Sequence, residues 1–205
     1  RGLEAAKQVA SYALSPLCGT TVVEKPRLTW LPIVTQLRFG QWDKVLAAPE
    51  PAAELPFDRA IWRFARARAY AAKGNANAAA REAQLLDDLA GTDAVKAVDS
   101  PYFPANQVLV VARRLAHAGV AGARGNKADM ITKLREAVDA EHALPYMEPA
   151  FWMYPTRPTL AAALLKAGRA AEAEAEFRSD LAEFPRNGWS LFGLAEALRK
   201  QGKTD

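Results

Sequence analysis

Apolar side chains recur along the chain with the period of an α-helix. In the stretch 170–184, for example, Ala173, Phe177 and Leu181 follow one another at every fourth position. No segment shows the strict alternation of apolar and polar residues that is typical of a half-buried strand. The pattern predicts an all-α protein with helices at about 2–14, 28–39, 41–48, 57–73, 76–90, 102–124, 126–140, 157–167, 170–184 and 188–201.

The predicted helices repeat with a fixed spacing near the end of the chain. Gly168 and Gly202 lie 34 residues apart, and each follows a similar basic and apolar helix end. Glycine suits the left-handed backbone position that commonly follows a helix. A spacing of 34 residues is typical of the tetratricopeptide repeat, a helix–turn–helix unit.

The segment around Gly168 resembles one complete tetratricopeptide unit. Leu160 and Ala161 form the large–small pair of its first helix, and Ala173 and Phe177 lie in its second helix. The resemblance implies antiparallel helix pairs stacked as a right-handed superhelix, an α–α solenoid, in a single array over 1–205. The expected units are 26–50, 60–91, 107–142, 154–187 and an incomplete 188–205, with a long irregular loop at 143–157.

Two phrases extend the resemblance beyond the repeat. One is the proline- and aromatic-rich stretch 144–157, and the other is 187–194, which reads NGWSLFGL. With them the chain resembles the C-terminal half of a bacterial family of long tetratricopeptide-repeat proteins, for which no activity is established. The resemblance implies further repeats upstream, some of them bearing histidines. Because the last unit lacks its second helix, we also expect the native chain to continue.

The first helices of the pairs line the concave face in this fold, which we call the groove. The repeat positions place Trp189 and Phe192 of the last unit and Arg68 of an earlier unit on the groove. Aromatic and cationic side chains suit a protein or peptide partner. The alternative is that both aromatic rings only pack against the preceding helices. The positions that clamp a carboxylate tail in some relatives of the fold are occupied in unit 154–187 by Pro155, Pro158, Thr159 and Ala162, so we reject that mode for this unit.

The loop 143–157 is a second candidate site, because long loops in compact domains are often functional. It contains aromatic and charged residues of the types that dominate binding interfaces. The alternative is a rigid plug that buries its aromatic rings between two repeats, stapled by an ion pair between Glu148 and Arg157. The candidate binding residues of the loop are Tyr146, Glu148, Trp152, Tyr154 and Arg157.

A basic row on helix 57–73 also has two interpretations. Arg59, Arg63, Arg66 and Tyr70 recur at helical spacing and share one face. They are suited to an acidic partner, or to salt bridges within the array. The second interpretation names Glu54, Asp87 or Asp88 as the acidic groups.

Charge and composition narrow the functions. The net charge of +4 is spread over mixed signs rather than gathered in a stripe, so we do not expect nucleic-acid binding. No apolar run is long enough for a membrane span. The single cysteine, Cys18, allows no intrachain disulfide, which is compatible with a soluble protein of the cytoplasm or the periplasm.

The sequence gives little support for catalysis. His117 lies on an alanine-rich helix and is expected to be packed, whereas His142 ends a helix, where a cation is favourable. Neither histidine has metal-ligand spacing, and no glycine-rich phosphate loop is present. We therefore expect no catalytic residue, no metal and no cofactor.

Three functions remain as hypotheses. The leading one is a non-catalytic scaffold that binds a protein or peptide in the groove. The second is the C-terminal wall of a small-ligand or metal pocket in a longer protein. The third is a structural module that promotes self-association.

Overall fold

The computed structural model describes residues 2–13, 29–100 and 103–203. It confirms the all-helical class, since the described residues contain helices and one isolated bridge, between Ser100 and Phe103, but no strand. Cys18 lies outside the described residues. The helices are α1 Gly2–Ala13, α2 Leu31–Arg38, α3 Trp42–Ala47, α4 Pro56–Ala72, α5 Ala76–Ala90, α6 Asp93–Lys96, α7 Ala105–Ala123, α8 Lys127–His142, α9 Arg157–Lys166, α10 Ala170–Glu183 and α11 Gly188–Lys200.

Neighbouring helices in the sequence pack against each other as pairs. Helices α4 and α5, α7 and α8, and α9 and α10 form the three longest pairs, while α2 and α3 form a shorter one. Some first helices also contact the first helix of the next pair, as α2 does α4 and α4 does α7, whereas α9 contacts α8. The short helix α6, which the hydrophobic pattern does not predict, begins after a cap in which Thr92 accepts from the Val95 amide.

Five glycines with positive φ end the first helix of a pair or its equivalent. In each case the amide that follows the glycine donates to a carbonyl five residues earlier, as Asn75 does to Tyr70 at 2.9 Å. This bond closes the helix end and requires the left-handed conformation that glycine adopts without steric cost. The predicted pair Gly168 and Gly202 thus belongs to a larger set of Gly40, Gly74, Gly125, Gly168 and Gly202, with φ between 64° and 83°.

The core is a continuous cluster of buried side chains that extends from Trp30 to Ala197. Phe57 and Phe64 of α4 are fully buried in it, beside alanines such as Ala60 and Ala67 that are also fully buried. A methyl side chain lets two helix backbones approach closely, and packing at this density stabilises the pairs. The high alanine content therefore serves both helix formation and helix contact.

None of the helices within the described residues is long and apolar enough to cross a membrane.

Candidate functional site

The loop between α8 and α9 buries two of its aromatic rings in the protein core. Phe151 and Trp152 are 6% and 3% exposed. The Trp152 ring packs edge-on against Phe64 at 5.5 Å, and the Phe151 ring lies 6.1 Å from Phe103. Phe64 lies on α4 one helical turn before Arg68, which is predicted to line the groove, so this part of the loop covers that stretch of the predicted groove. Trp152 is thus mainly a packing residue, and only a small part of it lines a cavity of about 570 Å³, to which the predicted loop residues Tyr146, Glu148, Tyr154 and Arg157 also contribute.

Side chains at the two ends of the loop hold it in place. Glu141, near the end of α8, accepts hydrogen bonds from the backbone amide of Thr156 at 2.8 Å and from its hydroxyl. Burial raises the pKa of the Glu141 carboxyl, and the bonds from Thr156 oppose that shift. Thr156 itself is 1% exposed. The start of α9 is therefore bonded directly to the end of α8.

The expected ion pair between Glu148 and Arg157 is wrong. Arg157 Nη1 instead contacts Glu176 at 2.7 Å, and its Nη2 lies 3.0 Å from His142 Nε2. Glu148 accepts a hydrogen bond of 2.6 Å from the Tyr146 hydroxyl, which raises the pKa of Tyr146. Arg157 joins α9 to α10 because the second helix of its own pair supplies a nearby carboxylate. The ring of Tyr146 is 86% exposed, so the tip of the loop lies open.

Arg68, predicted to line the groove, lies near the loop residue Tyr154 and is engaged within the protein. Its Nη1 donates to the carbonyl of Leu115 at 3.1 Å. Burial lowers the pKa of Arg68, and the nearby Tyr154 opposes that shift. Arg68 also lines a cavity of about 500 Å³ with small residues of α7 and α9, among them Gly119. The side chain therefore ties α4 to α7 and presents only part of its length to this cavity.

A larger cavity of about 750 Å³ lies at the other side of the loop. Its walls come from α2, from loop residues 153–155 and from the connection 183–187 between α10 and α11. Apolar side chains such as Leu31, Val34 and Met153 make up most of its surface. We call it the α2 cavity. Its volume falls in the range of ordinary ligand pockets.

The guanidinium of Arg38 marks this cavity. It lies 5.1 Å from the ring centroid of Tyr154 and 4.8 Å from that of Trp189. These are cation–π distances. The stacking brings two predicted site residues, Tyr154 and Trp189, to one place. Burial raises the pKa of the Tyr154 phenol, and the positive charges of Arg68 and Arg38 oppose that shift.

Sequence analysis missed Arg38. As the last residue of α2, before Gly40, it fits the ordinary preference for a cation at a helix C-terminus. Nothing in its local sequence indicates that the fold brings it to Tyr154 and Trp189. Only the packing of the loop and of the α10–α11 connection against α2 makes it a candidate site residue.

Large apolar side chains are exposed around the α2 cavity. Phe39 and Phe184 line it and are 60% and 41% exposed, while Trp189 is 56% exposed beside Arg38. On α11, Phe192 is 71% exposed. The alternative in which Trp189 and Phe192 only pack against preceding helices therefore does not hold. These rings leave apolar surface available for contact.

The basic row on α4 is a structural cluster. Glu82 of α5 is 6% exposed, and it accepts from Arg63 at 2.9 Å and from Arg66 at 2.7 Å. Glu50 accepts from Arg59 at 2.6 Å. The acidic partners predicted from the sequence are wrong. The other part of that interpretation, that the arginines form salt bridges within the fold, is correct. Among the described residues, each of these arginines has a carboxylate partner.

The histidines also bond within the protein. His117 Nε2 lies 2.7 Å from Asp87, whose other oxygen accepts from Arg113 at 2.6 Å. His142 contacts Arg157, as described above. Within 2–13, 29–100 and 103–203, no group of three or more histidine, cysteine or acidic side chains is placed to hold a metal ion.

Comparison with family models, with curated proteins and with solved structures finds no match for this chain. The site is therefore interpreted from its own geometry.

Proposed function

We propose that this chain is a tetratricopeptide-type helical array that binds a segment of a partner protein at the α2 cavity. The observation that carries the proposal is the guanidinium of Arg38, stacked between two aromatic rings beside a mostly apolar cavity. Aromatic rings and arginine are the residues that contribute most to binding energy at interfaces. A binding role needs no reaction centre, and we propose a non-catalytic one.

The repeat architecture is supported by the turns. Gly40 and Gly74 lie 34 residues apart, as do Gly168 and Gly202, and all four have positive φ at the same point of a helix pair. The two longer intervals, on either side of Gly125, contain α6 and the loop 143–156. The stacking of the pairs as a right-handed superhelix is part of the proposal. The contact of α4 with α7 supports it.

The site we propose differs from an open groove along the array. Phe64 is covered by Trp152, and Arg68 bonds to Leu115. A partner segment has access instead to the exposed rings of Phe39, Phe184 and Trp189. The loop acts as a plug at Phe151 and Trp152 and as a wall of the site at Tyr154. The plug interpretation therefore applies to Phe151 and Trp152, and the binding-site interpretation applies to Tyr154.

Self-association is a second candidate, favoured by the last helix. Leu191 and Phe192 of α11 are 50% and 71% exposed, and apolar surface on one helix face is suited to a second copy. Light scattering of the purified chain from low to high micromolar concentration separates the two. A dimer that is lost in Leu191→Ala with Phe192→Ala supports self-association, whereas a monomer throughout excludes it in this range.

The test of the binding proposal is selection of random peptides displayed on phage, using the immobilised chain as target. We expect a family of related peptides that bind the wild type and not the double variant Phe184→Ala with Trp189→Ala, which removes two exposed rings of the proposed site. Val110→Ala is the matched control, because Val110 is 38% exposed on α7 and lines none of the cavities described above. Peptides retained by the double variant, or no enrichment on the wild type, would overturn the proposal.

A further inference from the structure

The guanidinium of Arg38 has no hydrogen-bond or ion-pair acceptor among the described residues. Its contacts are the faces of Tyr154 and Trp189. An arginine that stacks on rings through its planar face keeps its N–H groups available at the edge of that plane. By contrast, the half-buried Arg63 and Arg66 of α4 are paired with Glu82. The edge of Arg38 is therefore open to an acceptor from outside.

The carboxylate whose charge acts on Arg38 does not form a hydrogen bond with it. The charge of Asp180 raises the pKa of Arg38, against the larger lowering by burial. However, Asp180 Oδ2 accepts from the Asn187 amide at 2.8 Å and from the Ser190 hydroxyl. Asn187 also caps α11 through the Trp189 amide. These bonds hold Asp180 Oδ2 at the α10–α11 junction, while the buried Oδ1 has no hydrogen-bond partner among the described residues, Arg38 included.

Two further charged residues line the α2 cavity, one positive and one negative. Arg186 and Glu183 both come from the connection 183–187 and are exposed, so solvent screens them. Apolar surface is available on two separate walls, from Phe39 after α2 and from Phe184 after α10. A ligand at Arg38 is thus flanked by an aromatic ring on either wall.

We propose that Arg38 binds the side-chain carboxylate of an aspartate or glutamate in a partner segment, with apolar residues on both sides that contact Phe39 and Phe184. This inference rests on the proposed function and names the chemistry that its site selects. A guanidinium and a carboxylate match as two parallel hydrogen bonds, which are stronger than bonds between neutral groups.

A carboxylate fits this site better than a phosphate. The negative charge of Asp180 acts on Arg38, and Glu183 lines the same cavity as Arg38. A phosphate carries close to two negative charges at neutral pH, so these carboxylates oppose it more strongly than they oppose a single charge. The single guanidinium of Arg38 also balances one negative charge and no more.

The probes are three N-acetylated tripeptides. The second differs from each of the other two at one group. Acetyl-Phe-Glu-Phe-amide carries a side-chain carboxylate, and acetyl-Phe-Gln-Phe-amide is its neutral control. Acetyl-Phe-Gln-Phe with a free C-terminus carries a terminal carboxylate instead. Binding to the full chain is measured by NMR, following the arginine side-chain and tryptophan indole N–H signals during titration. We expect the glutamate peptide to bind about tenfold or more tightly than either glutamine peptide, since a bond to a charged group is involved.

Variants assign the effect to Arg38. Arg38→Met should remove the preference for glutamate, and Arg38→Lys should retain only part of it because an ammonium cannot form the paired bonds. Arg81→Met is the control, since Arg81 is exposed on α5 and lines none of these cavities. Circular dichroism and thermal unfolding confirm that each variant is folded. If Arg38→Met does not fold, Arg38→Lys still tests the role of the guanidinium.

Each outcome decides the inference. A glutamate preference that Arg38→Met abolishes and Arg81→Met keeps supports it. Tighter binding of the free C-terminus than of the glutamate side chain overturns it in favour of a terminal carboxylate. Equal binding of all three peptides, or a glutamate preference that survives Arg38→Met, also overturns it. Phage-selected peptides without acidic residues that bind the wild type and not the Phe184 and Trp189 double variant would support the proposed function and reject only the carboxylate.

Discussion

Two clusters of arginine and aromatic rings differ in one feature. On α4, Arg63 and Arg66 stack on the ring of Trp62 at 4.5 and 4.6 Å, and both also contact Glu82. At the α2 cavity, Arg38 stacks on two rings, but no carboxylate of the described residues bonds to it. Each arginine of the first cluster has a carboxylate partner, and in this sense we call the cluster neutralised. The second cluster leaves a cation beside open apolar surface. Similar stacking thus serves the fold in one place and is available for recognition in the other.

The largest expected effect comes from removing the carboxylate of the neutralised cluster. Glu82→Ala leaves Arg66 without a counterion and Arg63 with only the more distant Glu50, at 3.3 Å. Loss of one partner from a buried ion pair costs about 3–5 kcal/mol, because the remaining charges stay desolvated. We expect the free energy of unfolding in urea to fall by that amount.

Glu50→Ala is the matched control for this change. Its side chain is 39% exposed, against 8% for Glu82, so the loss should stay below about 1 kcal/mol. Equal losses for the two variants would show that burial does not determine the effect. A loss for Glu82→Ala below about 1 kcal/mol would contradict a structural role for the cluster.

Asp58 is a second buried carboxylate, which can be compared with Glu82. It is 4% exposed, and no cation among the described residues bonds to it, although the Thr29 hydroxyl donates to it. Burial raises its pKa from 3.8 to about 7, and the bond from Thr29 opposes that shift. Between pH 4 and pH 7 the unfolded chain has therefore released a proton that the folded chain keeps. Stability falls as the pH rises through this range, by about 3–4 kcal/mol for a shift of this size.

Urea unfolding at pH 4.5 and pH 7.5 measures this dependence. Other groups contribute, among them Glu141, whose pKa is also raised. Asp58→Asn is therefore compared with the wild type, because asparagine keeps an acceptor for Thr29 and does not titrate. We expect the variant to lose clearly less stability over this range. Parallel losses in the two proteins would remove Asp58 as the cause.

Sequence reasoning succeeds where structure is local. The helices follow from apolar spacing, and turns such as that at Gly168 follow from a glycine after a helix, because the bonds that close them join residues five apart. The partners of the charged groups are different. Arg157 bonds to Glu176 rather than Glu148, and Arg38 lies beside Tyr154 and Trp189, because the packing of separate helices and of the loop sets these contacts. Helix periodicity carries no information on that arrangement.

The smallest expected effect on stability is at Arg38. Arg38→Met removes two cation–π contacts, each of about 0.5–1 kcal/mol at partly exposed sites, and it relieves the cost of holding an unpaired charge half-buried. These contributions have opposite sign, so we expect the free energy of unfolding to change by about 1 kcal/mol or less. Urea unfolding beside Glu82→Ala measures the contrast. A loss as large as that of Glu82→Ala would mean that Arg38 has an internal partner after all, and the distinction between a neutralised and an available arginine would fail. A small change in the free energy of unfolding, together with loss of the glutamate preference in peptide binding, would show that Arg38 acts in ligand binding. Arg63 and Arg66 would then be the arginines that stabilise the fold.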